Sequence, residues 1–170
     1  MSDEHAYQQC EEAFGGTLRS LTPQRISESP VQPQSPIERQ FLIGLMSFGL
    51  QLPLYDFGDS FSRFVSRDGA FPVVRVTLQA PVEGYKADFL LEVTHKGKTL
   101  GRVVIECDGH QFHKRTKEQA AHDRARDRKM TLAGYKVMRF TGSEIYRNLT
   151  QCVDDAHWAA WHCYTGGADQ

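Results

Sequence analysis

No stretch of this chain is apolar for long enough to cross a bilayer as a helix, and no basic-then-apolar leader follows Met1. The expected location is therefore the cytoplasm, with no membrane partner. Cysteine is sparse: Cys10, Cys107, Cys152 and Cys163 stand far apart without CxxC spacing. That excludes a disulfide framework and a four-cysteine zinc site, and leaves four free thiols in a reducing compartment. No internal repeat is present. Net charge is also scarce, at −1 overall, which excludes a uniformly basic chain. The balance hides an asymmetry, however. Residues 1–36 carry five acids against two basic residues, whereas residues 96–147 carry thirteen Lys and Arg against six acids. A polyanion would be drawn to the second region alone.

With 170 residues, 40% hydrophobic and 24% charged, the chain has the size and composition of one globular domain. Four prolines, Pro23, Pro30, Pro33 and Pro36, lie among Ser and Gln, so residues 21–36 read as an extended linker, and residues 1–36 together as a flexible N-terminal arm, with packing of that arm on the domain as the open alternative. The domain is expected over 37–165, with a frayed tail at 166–170. Ser35-Pro36-Ile37-Glu38 has the form of a capping box opening a helix to about Phe48. Alternation predicts a strand over 72–79, and apolar runs predict two more over 86–93 and 100–107, joined by the polar turn His95-Lys96-Gly97-Lys98. Thr116 and Gln119 suggest the start of a helix running to about Ala133, with Ala121, Ala125 and Leu132 as its narrow sheet-facing seam. A strand over 135–140 would follow, parallel to the one at 100–107 through a right-handed crossover. Short helices at 143–148 and 150–164 would end the domain. The expected fold is α/β: a central mixed sheet of about four strands, with the helix at 37–48 on one side and the helix at 116–133 on the other.

The chemistry concentrates in Val103-Val104-Ile105-Glu106-Cys107-Asp108-Gly109-His110-Gln111-Phe112-His113. Strand residues two apart share a face, so Glu106 and Asp108 point the same way. Two acids so placed raise each other's pKa, and burial adds to the cost; a bound cation removes both penalties. Asp88 stands on the preceding arm of the hairpin. Cys107, His110, His113 and His122 could be mistaken for a zinc set, but Cys107 alternates away from the acidic face.

Asp88 followed by Glu106-x-Asp108 on the next strand resembles the signature of the PD-(D/E)XK, or restriction-endonuclease-like, superfamily. Downstream, Asp123, Arg126, Met130, Gly134, Tyr135 and Arg139-Phe140 resemble the helix and strand after the site in small endonuclease-like proteins related to the very short patch repair endonuclease. The match covers residues 85–147. It implies a Mg²⁺- or Mn²⁺-dependent deoxyribonuclease that hydrolyses phosphodiester bonds in DNA, with RNA left open. Asp88, Glu106, Asp108 and the backbone carbonyl of Cys107 would hold the metal, and His113 would serve as general acid or base. Glu38, Asp123, Arg126 and Arg139 would support the site, and Lys114, Arg115 and Lys117 would contact nucleic acid. One departure is plain: the signature lysine two residues after the second acid is Asp108 here. Two other functions therefore stand beside the nuclease. One is a catalytically degenerate nucleic-acid-binding module. The other is an interaction protein that docks a repair or defence complex through residues 1–36.

Overall fold

The computed structural model describes residues 3–14, 31–51, 55–56, 72–109 and 117–166. Their elements, in order, are α1 (Asp3–Phe14), α2 (Pro36–Gln51), β1 (Tyr55–Asp56), β2 (Val73–Val82), β3 (Tyr85–His95), β4 (Lys98–Asp108), α3 (Lys117–Leu132), β5 (Tyr135–Thr141) and α4 (Gly142–Thr165). Four long strands form a mixed sheet, and the two-residue β1 extends its edge in the order β1-β2-β3-β4-β5. The pairs β2·β3 and β3·β4 are antiparallel hairpins. Both turn through two residues of positive φ, Glu83-Gly84 (51° and 81°) and Lys96-Gly97 (49° and 77°). That backbone matches the twist of the flanking strands, and glycine adopts the second position without strain. β5 returns parallel to β4, with Glu106 level with Arg139.

Alternation along the strands divides the sheet into a large and a small apolar face. Phe89, Leu91, Val103 and Ile105 join the large core beneath α1, α2 and α4, with Phe41 stacked on Phe140 at 5.4 Å. Leu90 and Val104 turn the other way and meet only Met130 of α3 among its buried residues, with Ala80, Val82 and Ala87 alongside. Burying a large aliphatic or aromatic side chain contributes about 1.5–3 kcal/mol, so the large core dominates stability. The small face leaves room for polar groups.

Three features differ from the sequence expectations. Residues 3–14 are a helix rather than a free arm: Ala6, Tyr7 and Cys10 are buried, Arg39 binds Asp3 at 2.7 Å, and Gln9 accepts the Leu149 amide at 2.9 Å. Ala121, Ala125 and Leu132 do not form the sheet-facing seam of α3. They are exposed, Leu132 at 90%, while Asp123, Arg126, Asp127 and Met130 turn inward. The helix lies over charged groups, so its inner face is polar. At α2, Ser35 Oγ accepts the Glu38 amide at 3.2 Å, but the Glu38 carboxylate accepts from the amide of Gln34 at 2.8 Å rather than closing the box on Ser35. The two C-terminal helices run together as α4 with a break at Asn148 (φ −140°, ψ 52°), behind a Thr141–Glu144 capping box. All four cysteines are buried and free. Among the described residues no helix is long and apolar enough to cross a membrane.

Candidate active site

The antiparallel pairing of β3 with β4 runs as far as Phe89 opposite Ile105. One step on, the Asp88 side chain takes over the role of the backbone ladder: the Cys107 amide donates to Asp88 Oδ2 at 2.7 Å. Glu106 continues the small-face alternation of Val104, and is 5% exposed. Asp88 and Glu106 are thereby held together at the parting of the two strands, beneath α3.

Burial pushes the Asp88 carboxyl up to about 6. The charges of Glu38 and Asp108 push the same way, against the Cys107 amide and Arg126. Burial likewise pushes Glu106 up to about 7, with Asp88 adding to it and Arg126 and Arg139 opposing it. Cys107, on the opposite alternation, is raised well above its ordinary value by burial and by the surrounding carboxylates, which makes it an inert thiol. Five carboxylates (Glu38, Asp88, Glu106, Asp108 and Asp127) thus gather around two guanidinium groups, and positive charge is in short supply.

Both guanidinium groups are tied to this cluster. Arg126 donates to Glu106 Oε1 and, at 3.3 Å, to the Lys86 carbonyl, with its guanidinium 5.7 Å from the Tyr85 ring centroid. Its Nε is buried with no hydrogen-bond partner among the described residues. Arg139 binds both oxygens of Asp127, at 2.7 and 3.2 Å, and both of Asp108 at 3.4 Å. Hydrogen bonding to Asp127 and the charge of Asp108 raise its pKa against the effect of burial. Glu38, 6% exposed on α2, accepts from Gln79 Nε2 at 2.6 Å.

Of the residues singled out from sequence, Glu38, Asp88, Glu106, Asp108, Arg126 and Arg139 converge at this end of the sheet. Asp123 is half-buried one turn before Arg126 on α3. His110, His113, Lys114, Arg115 and Thr116 lie outside the described residues, and Lys117 is the first residue of α3. Sequence reasoning passed over Asp127, Gln79 and Tyr85. The available signal for Asp127 was its place four residues after Asp123, on the same helix face. Gln79 gave none, since its positive φ of 51° is invisible in a strand-like run.

Among the described residues no three His, Cys, Asp or Glu side chains are grouped to hold a metal ion. The two carboxylates nonetheless fit Mg²⁺ or Mn²⁺ in chemistry. They are hard oxygen donors lacking positive charge, and Mg²⁺ is commonly held through only one or two carboxylates, the rest of its shell being water and substrate. No curated protein and no solved structure matches the chain. A protein-family model, described as REase_MTES_1575, matches residues 61–159. That span takes in β2 to β5 and both carboxylates, and on it the chain belongs to the REase_MTES_1575 family, a restriction-endonuclease-like family.

Proposed function

We propose that this protein is a metal-dependent endonuclease that hydrolyses phosphodiester bonds in DNA. The observation that carries the reading is the buried pair Asp88 and Glu106, brought together from neighbouring strands where the ladder parts and each raised in pKa. Membership of a restriction-endonuclease-like family supports it. Kinship with the very short patch repair endonuclease belongs to the same reading.

Asp88, Glu106 and the Cys107 carbonyl would hold Mg²⁺ or Mn²⁺, with Asp108 beside them. The ion would supply Lewis acidity toward a phosphodiester oxygen and toward water. The protein's own groups do the rest. The Cys107 amide fixes the Asp88 carboxylate, and Arg126 fixes Glu106. The unspent Arg126 Nε donor suits an incoming phosphate oxygen. Arg139 holds Asp108 and Asp127 in place, and so keeps two further negative charges from drifting onto the pair. Arg126 takes over from the absent signature lysine the task of placing a cation against Glu106. His113 would carry the proton, with Asp123 and Glu38 in support. Lys114, Arg115 and Lys117 would meet nucleic-acid phosphates.

A plasmid-nicking assay tests this. Cutting should require a divalent ion, and Asp88→Ala or Glu106→Ala should each abolish it while circular dichroism shows the fold retained. Undiminished cutting by either variant removes the metal-site reading. One observation favours the degenerate binding module instead: Arg126 already pairs with Glu106, a position a cation would share. That module would bind DNA and never cut it under any divalent ion. Docking of a protein complex through residues 1–36 would use the outer side of α1, since Ala6, Tyr7 and Cys10 on its inner side are packed into the core.

A further inference from the structure

We propose that the outward face of α3 is a docking surface for duplex DNA, which rests on the nuclease reading and anchors the substrate beside the site rather than in it. Among the described side chains of α3 the charges are sorted by side. Between Ala121 and Leu132 every exposed ionisable residue is basic or a histidine: His122, Arg124, Arg128 and Lys129. The acids Asp123 and Asp127 are turned inward with Arg126, and Asp127 is consumed by Arg139. An ordinary solvated helix mixes signs four residues apart, for a gain of about 0.2–0.5 kcal/mol per pair, and like charges at that spacing cost as much. Arg124 and Arg128 stand at that spacing, and neither forms an ion pair with another described residue. The sequence thus accepts a repulsion that a polyanion would remove.

The geometry favours a duplex. Arg124 and Arg128 are separated by about 6 Å along the axis, close to one helical turn, and the small Ala121 and Ala125 are exposed on the same stretch. The rod is slim there, and an α-helix fits the major groove, which is about 12 Å wide. Single-strand binding relies on aromatic platforms for stacked bases. The described outward face from Ala121 to Leu132 has no Phe, Tyr or Trp. Tyr85, the nearest aromatic, already lies against Arg126, Lys129 and His122. The inner face of the same helix carries Arg126 onto Glu106, so a duplex seated on the outer face lies about one helix diameter, 10–12 Å, from the carboxylate pair.

The test measures binding of the full chain to a fluorescent duplex, and to the corresponding single strand, in EDTA so that no cutting occurs. Salt is varied between about 50 and 200 mM. The variants are Arg124→Gln with Arg128→Gln, and a control of equal charge loss elsewhere, Lys98→Gln with Arg147→Gln. Glutamine keeps helix propensity, and circular dichroism checks the fold. Each duplex phosphate contact contributes about 0.9 to the slope of log affinity against log salt. The expected result is a slope shallower by about 1.8 for the α3 variant and nearly unchanged for the control. Equal slopes in the two variants overturn the docking surface and leave the nuclease reading intact. Binding to the single strand in preference to the duplex overturns it too. Absence of binding to either DNA by the unaltered protein overturns the DNA reading itself, and the docking surface with it.

Discussion

Asp88→Asn offers a direct measure of the charge stored at the strand parting. The folded protein raises Asp88 from 3.8 to about 6. A raised carboxyl contributes stability that is present below its unfolded pKa and lost as pH rises through the folded value. Each unit corresponds to about 1.4 kcal/mol, so the metal-free protein gives up about 3 kcal/mol between pH 4 and pH 7 on account of this one group. Asparagine has no such cost, and its carbonyl oxygen can still accept the Cys107 amide. Relief at Glu106, whose own pKa Asp88 helps to raise, acts in the same direction. In urea unfolding with EDTA, the stability of Asp88→Asn relative to the unaltered protein should therefore improve by about 3 kcal/mol from about pH 4 to about pH 8. Millimolar Mn²⁺ should shrink the gap at the higher pH, because it binds and stabilises only the protein that keeps the carboxylate. A gap constant across this range would refute the reasoning, for it would mean that Asp88 holds its proton no more tightly folded than unfolded.

Two more outcomes test the neighbours. Arg126→Met leaves Glu106 buried without its partner, and should cost about 3 kcal/mol at pH 8 but less at pH 5, where Glu106 takes up a proton; equal losses at the two pH values would show that the guanidinium matters for packing alone. Asp108→Asn keeps the shape of a residue that Arg139 contacts, so if Asp108 helps hold the ion, cleavage in a Mn²⁺ titration should fall, whereas unaltered cleavage strikes Asp108 from the site.

The part of the fold governed by short-range rules was legible in the sequence. A period of two placed Glu106 and Asp108 on one face and Cys107 on the other, and Lys96-Gly97 marked its hairpin. Helix α3 misled for a physical reason. Its few apolar residues at helical spacing suggested a buried seam, but the face beneath it is filled with carboxylates, and the energy of pairing them turned Arg126 and Asp127 inward instead. Helix α1 was obscured because the prolines after residue 22 describe a connection and say nothing of what precedes it. Ala6, Tyr7 and Cys10 are too short a pattern to announce a core contact. The partnership of Glu38 with Gln79 joins residues 41 apart through a side chain, and no local pattern encodes it.

The unequal faces of the sheet bear on what substitutions this architecture tolerates. The heavy side, with three helices over one continuous apolar layer, holds the chain together whatever stands opposite. The light side closes on little more than Met130 and a few small or aliphatic neighbours, so exchanges among its polar residues disturb few packing contacts. A chain built in this way can exchange one polar side chain for another beside Glu106 without disturbing its main apolar core. The polar end of the sheet and the core that folds it are in this sense independent, and the first can change while the second stays fixed.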